Sequence, residues 1–245
     1  MSAFPHTVRP ALAAALIALA PLGALAATTL YDPALGTLPS AQGWLPQVLA
    51  SGAVADQSVG NGVYRLDTRS IGVSIWGNGR ISPLALDTQA GFDLSFSLQL
   101  VSESHTSPNR AGYSLVMVGA QASQALELDF WTDHIWAQDY DAGQFVHGVD
   151  VAFDTTAALT PYTLAVRQQQ FTLSVGGTAL LSGALRDYTP RGLVYVVPNY
   201  LFLGDNSSQG TSISHLGAVS LSPVPEPAAA WLLALGLAGL VLRRR

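Results

Sequence analysis

"FDLSFSLQLV", Phe92 to Val101, decides the fold. Phe92, Leu94, Phe96, Leu98 and Leu100 are large and apolar, while Asp93, Ser95, Ser97 and Gln99 between them are polar. A period of two puts each set on its own face of an extended strand; a helical period would scatter both. This stretch reads as a half-buried strand. "YTLAVRQQQFTLSVGGTALLSG", Tyr162 to Gly183, reads as a meander: a strand, a turn at Gln168 to Gln170, a strand, a Gly176-Gly177 hairpin and a third strand. Further strands are expected at Val63–Thr68, Ile71–Trp76, Gly112–Val118, Ala125–Trp131, Ile135–Gln138, Leu193–Val197, Tyr200–Leu203 and Ile213–Leu221. Turn chemistry separates them at Gly60-Asn61-Gly62, Gly77-Asn78-Gly79, Ser107-Pro108-Asn109 and Asp205-Asn206. A dozen short strands without a long amphipathic helix predict an all-β, two-sheet antiparallel sandwich over residues 27–222.

Both ends of the chain differ from this middle. Near the N-terminus, His6 and Arg9 precede an apolar run from Ala11 to Ala20, and Ala24-Leu25-Ala26 follows. That order is a secretory signal peptide over residues 1–26, cleaved between Ala26 and Ala27. At the C-terminus, Ala228 to Leu242 is a run of 15 apolar or small residues ending at Arg243-Arg244-Arg245. As a helix it would span about 22 Å, short of the roughly 30 Å hydrocarbon core. The arginines would hold its end in the cytoplasm. Pro225 and Pro227 bar a helix from extending backwards, so Val224-Pro225-Glu226-Pro227 is expected as an extended hinge.

Composition excludes several kinds of chemistry. The chain has no cysteine and no lysine, which removes disulfides, thiolates and Schiff bases. Without its two ends the domain has 7 basic and 15 acidic residues, a formal charge of −8, which argues against nucleic acid as a partner. No Gly-x-Ser-x-Gly, P-loop or Gly-x-Gly-x-x-Gly motif occurs. His105, His134, His147 and His215 lack the spacing of a metal site and are expected as ordinary hydrogen-bonded residues. Asp139-Tyr140-Asp141 and Asp205-Asn206 each offer too few oxygens for calcium, so turn chemistry is expected there and no metal or cofactor.

Pro225-Glu226-Pro227, a short apolar span and terminal arginines, in that order, resemble a PEP-CTERM protein-sorting signal over residues 223–245. The resemblance implies a Gram-negative bacterium, Sec export, transient inner-membrane insertion through a C-terminal hydrophobic helix, and removal of the tail by an exosortase-type membrane protease. It also implies a destination at the cell surface or in extracellular polysaccharide and biofilm. An ordinary membrane anchor is the competing reading. The order of pieces in the middle, with "LGDN" at Leu203 to Asn206 leading into the last strand, resembles a concanavalin A-like (laminin G-like) jelly roll. "HTSPNRAGYSLVM", "ELDFWTDHIWAQD" and "LFLGDNSS" look more narrowly like a choice-of-anchor domain, which carries no established activity.

The densest candidate chemistry is "ELDFWTDHIWAQDYD", Glu127 to Asp141. Alternation puts Glu127, Asp129 and Trp131 on one face; with Trp136 they form a candidate glycan-binding set, expected on an open face opposite Leu126, Leu128 and Phe130. Glu127-Leu128-Asp129 is also similar to the catalytic strand of laminarinase-like glycoside hydrolases. That likeness breaks where a second Glu is needed, because Trp131 and Thr132 stand there. Asp133 lies about 20 Å from Glu127 along an extended strand, against about 5–5.5 Å for a retaining pair. A weaker grouping joins Glu103, His105 and Arg110 to the Trp131–Gln138 region. The sequence is thus read as an exported, non-catalytic surface or matrix protein associated with exopolysaccharide. A lectin-like module and a glycan-active enzyme stay open as alternatives.

Overall fold

The alternation at Phe92 is one end of a 14-residue strand in the computed structural model, which describes residues 26–48, 54–71 and 75–224. The strands, in chain order, are β1 (Thr28–Tyr31), β2 (Leu45–Val48), β3 (Asp56–Gly60), β4 (Val63–Asp67), β5 (Trp76–Ile81), β6 (Phe92–His105), β7 (Ser114–Val118) and β8 (Ala125–Phe130). They continue with β9 (His134–Asp141), β10 (Gln144–Ala152), β11 (Thr160–Arg167), β12 (Gln170–Val175), β13 (Thr178–Ala184), β14 (Tyr200–Asp205) and β15 (Gly210–Pro223). Among the described residues there is no α-helix, only short 3₁₀ turns, and no helix long and apolar enough to cross a membrane. The expected signal helix (with Ala24 before its cleavage point) and the C-terminal helix, with Pro225, Glu226, Pro227 and Arg243 to Arg245, lie outside the described residues.

Two antiparallel sheets form a jelly-roll-like sandwich. The first runs β13-β12-β11-β6-β15-β4-β3, with β1 also paired to β15, and the second runs β10-β9-β8-β7-β14-β5-β2. Phe92, Leu94, Phe96, Leu98 and Leu100 point from β6 into the core and are at most 2% exposed. From the second sheet Leu115, Met117, Leu126, Leu128, Phe130 and Leu203 meet them. Phe96 stacks on Tyr162 at 5.2 Å and meets Phe130 edge-on at 6.3 Å. Each such burial is worth about 1.5–3 kcal/mol, so this interface is the main favourable contribution to folding.

The meander forms as β11, β12 and β13. Its turns place Gln168, Gln169, Gly176 and Gly177 at positive φ, the geometry that two-residue hairpins require. Several expectations fail, among them the turn at Asp139-Tyr140-Asp141, which lies inside β9. Leu193 to Val196 is a 3₁₀ turn rather than a strand, and it opens with Leu193 itself at φ 53°. Gly77-Asn78-Gly79 is the middle of β5, not a turn; of the expected strand at Ile71 to Trp76, Ile71 ends a 3₁₀ turn, Trp76 opens β5, and residues 72–74 lie outside the described residues. A Cβ on Gly77 would overlap the Phe202 ring, and one on Gly79 the Tyr200 hydroxyl. The glycines let these two aromatic rings lie flat on the sheet. Finally, the last strand runs past the expected domain end at residue 222: Pro223 closes β15, paired with Phe92, and the Val224 N–H donates to Gly91 O at 3.0 Å.

Candidate functional site

Strand β8 does not separate an inner from an open face. Leu126, Leu128 and Phe130 face the other sheet as expected, but Glu127 and Asp129 on the opposite side are 0% exposed as well. The chain after β13 explains why. Residues 185–199 cross back over the outer side of the second sheet, and Tyr188 and Tyr195 close over it with Val116, Val118, Ala125, Tyr200 and Phe202. The expected open glycan face is therefore an interior. Trp136 is also 0% exposed; only Trp131 keeps partial exposure.

Glu127 is the hub of that interior. Its Oε1 accepts from Arg110 Nη2 at 3.1 Å and from Asn206 Nδ2 at 3.0 Å, and its Oε2 accepts from the Tyr195 hydroxyl at 2.5 Å. Arg110 also donates to Gln138 Oε1 at 3.1 Å and to the Asn206 carbonyl. Burial disfavours the Arg110 cation, but the Glu127 and Asp129 carboxyls beside it outweigh that and raise its pKa. Asp129 accepts from the Ser114 hydroxyl, and its other oxygen has no partner among the described residues. Burial and then the neighbouring Glu127 push its pKa well above the ordinary carboxylate range. Asp205, the acid of "LGDN", accepts from the Ser207 N–H at 3.0 Å as an Asx turn. Burial pushes it up to about 9.

The grouping of Glu103, His105 and Arg110 with the Trp131 region does assemble. Glu103 accepts from the Gly112 N–H and contacts His105 Nδ1 at 3.1 Å. The His105 ring stacks on Trp131 at 4.1 Å, and the Trp131 indole donates to Arg110 O. Trp136 stacks in turn on His147 at 4.1 Å. These rings pin the 105–110 loop to the sheet edge. Among the described residues no three His, Asp or Glu side chains are placed to share a metal ion. Asp139 is held by Arg186 at 2.8 Å.

The open feature lies beside the buried hub. A groove of about 730 Å³ runs over the outer side of the second sheet, floored by Tyr200 and Phe202 where they cover the β5 glycines. Tyr195, Val194 and Val197 of the 185–199 segment form one wall; Asn109, Arg110 and Ser207 to Gln209 form the other. Gln47 and Val48 stand at one end, and Gln144, Phe145 and Arg191 at another. None of the described residues lining it is Asp, Glu or His. Sequence reasoning missed this site because its residues come from six separate segments. The one local signal is the pairing of bare Gly77 and Gly79 with the Tyr200-x-Phe202 alternation.

Residues 223–245 match the PEP-CTERM protein-sorting motif. No curated protein sequence matches the chain. Among solved structures, a carbohydrate esterase from the Shiga toxin-encoding bacteriophage phi24B is similar with a TM-score of 0.56 and 13% identity, over 82% of this chain and 100% of that chain. Domain 4 of AbnA, a GH43 extracellular arabinanase from Geobacillus stearothermophilus solved with arabinotriose, is similar with a TM-score of 0.52 and 11% identity, over 85% of this chain and 97% of that chain. At such identities the likeness is one of fold alone. The chain is thus a two-sheet β-sandwich carrying at residues 223–245 a PEP-CTERM motif, the recognition signal for exosortase processing, and that sorting implies an exported protein.

Proposed function

We propose that this is a non-catalytic glycan-binding protein of the cell surface or extracellular matrix. It is exported by the Sec route, cleaved after Ala26, inserted briefly in the inner membrane by its tail and released from it by an exosortase-type protease. The observation that carries the binding role is the groove: about 730 Å³, with apolar surface from Leu193, Val48 and Phe145 and a rim of amide and hydroxyl groups. Sugar rings present apolar C–H faces and hydroxyl edges, and such a lining meets both. The absence of Asp, Glu and His from its described lining supports binding without turnover, since glycoside hydrolysis needs two facing carboxyls. Glu127 and Asp129 lie beneath the covering segment and are committed to Arg110 and Ser114.

The test is a glycan array probed with the protein recovered from exporting cells, followed by incubation with whichever glycan is retained. Retention of a polysaccharide whose chain length stays constant is the expected result. No retention on any glycan would remove the binding role, and shortening of the retained chain would make the protein an enzyme.

A further inference from the structure

The arginines of the described chain are almost all spent. Arg65 and Arg69 pair with Asp67, Arg167 with Asp93, Arg186 with Asp139 and Arg110 with Glu127. Arg80 donates to the Leu30 and Gln42 carbonyls. Arg191 alone among them has neither a carboxylate nor a carbonyl partner for its guanidinium. It stands exposed at the groove, 4.8 Å over the Phe145 ring, with Arg110 at 4.7 Å from the same ring. Phe145 fixes the Arg191 plane without using its N–H donors, which is how a guanidinium is presented to a planar acid group. Since Glu127 neutralises Arg110, the described lining of the groove carries one uncompensated positive charge in a domain of formal charge −8.

Resting on the glycan-binding reading above, we infer that the groove takes an acidic polysaccharide, with the carboxylate of a uronic acid residue bound by Arg191. One unpaired guanidinium matches one acid group. A neutral glycan would leave the Arg191 donors to water and gain nothing from them.

A matched pair of ligands tests this: an oligogalacturonide hexamer and its fully methyl-esterified form, titrated calorimetrically into the secreted protein. The free acid is expected to bind about tenfold more tightly, the worth of one charge-assisted hydrogen-bonded contact. Arg191→Gln should abolish that difference, whereas Arg191→Lys should keep part of it. Arg191 is exposed, so circular dichroism and the urea midpoint should not move in either variant. Equal binding of acid and ester by the unaltered protein, or a preference that survives Arg191→Gln, overturns the acid specificity while leaving glycan binding intact. Failure to bind either hexamer overturns the acid specificity, and an array empty of every other glycan as well removes the binding role beneath it.

Discussion

Removing the Glu127 side chain should be the most damaging single change in the second sheet. Glu127→Ala deletes three hydrogen bonds, from Arg110, Asn206 and Tyr195, in a place with no solvent access. Asn206 keeps the Tyr195 oxygen as an acceptor at 2.7 Å, and Arg110 keeps Gln138 and the Asn206 carbonyl. What no neighbour replaces is the direct ion pair: Asp129, the other acid nearby, is hydrogen-bonded to Ser114 and makes no hydrogen bond with Arg110. Breaking a buried ion pair from one side costs about 3–5 kcal/mol. With a urea m-value of about 2.5 kcal/mol/M, a loss of 4 kcal/mol lowers the midpoint by about 1.6 M. Glu127→Gln keeps the shape and one acceptor, so it should lose about half as much. Arg110→Met combined with Glu127→Leu should recover most of the loss, since apolar replacements leave no unpaired charge. Equilibrium urea unfolding of the four proteins makes the comparison. A Glu127→Ala cost below about 1 kcal/mol, or a double variant that loses as much as Glu127→Ala, would refute the hub.

Asp205→Asn should flatten the pH dependence of stability. The native acid holds its proton up to about 9 while the unfolded one titrates near 3.8, so stability is full below 3.8 and falls as pH rises towards 9. Asparagine removes that loss, up to about 4 kcal/mol at pH 7, and an unchanged slope of urea midpoint between pH 5 and 8 would contradict it. Gly77→Ala should cost about 1–3 kcal/mol by overpacking, because its Cβ meets both the Phe202 ring and, at 2.8 Å, Leu203 O; an unmoved melting temperature would count against this. Glu226→Ala leaves the apolar run and the arginines of the tail intact, so membrane fractions should accumulate full-length protein; mass spectrometry showing normal removal of the tail would mean that Glu226 is not read.

The sequence showed most clearly what a single strand can show alone. Alternation located β6 and its buried face, and glycine or glutamine pairs located the turns of the β11–β13 meander. The hairpin at Ala142-Gly143 went unread because Ala142 takes φ 46°, a conformation its Cβ disfavours and only the pairing of β9 with β10 sustains. Leu193 to Val197 has strand composition, yet Tyr195 bonded to Glu127 holds it as a cover over the sheet. That cover reverses the reading of Glu127 and Asp129, while Trp136 is buried by its stacking on His147. Period two gives the side on which they lie, but only the path of residues 185–199 decides whether that side meets water. Arg110, 17 residues before Glu127 and in a loop, had no local sign of being its partner.

The close of β15 has a mechanical consequence. The sorting tail continues directly from a strand paired along its length to β6, from Gly210 with His105 to Pro223 with Phe92, and on its other edge to β4 and β1. Tension on a tail held in the membrane therefore pulls along the axis of an interior strand. It loads many ladder hydrogen bonds together in shear, whereas the rim strands β13, β10, β3 and β2 would yield to a peeling force one pair at a time. Under the proposed insertion and cleavage of the tail, the domain would hang from the strand best placed to carry its drag, and resistance to extraction would be set by how fast β15 slips past β6 rather than by the overall folding equilibrium.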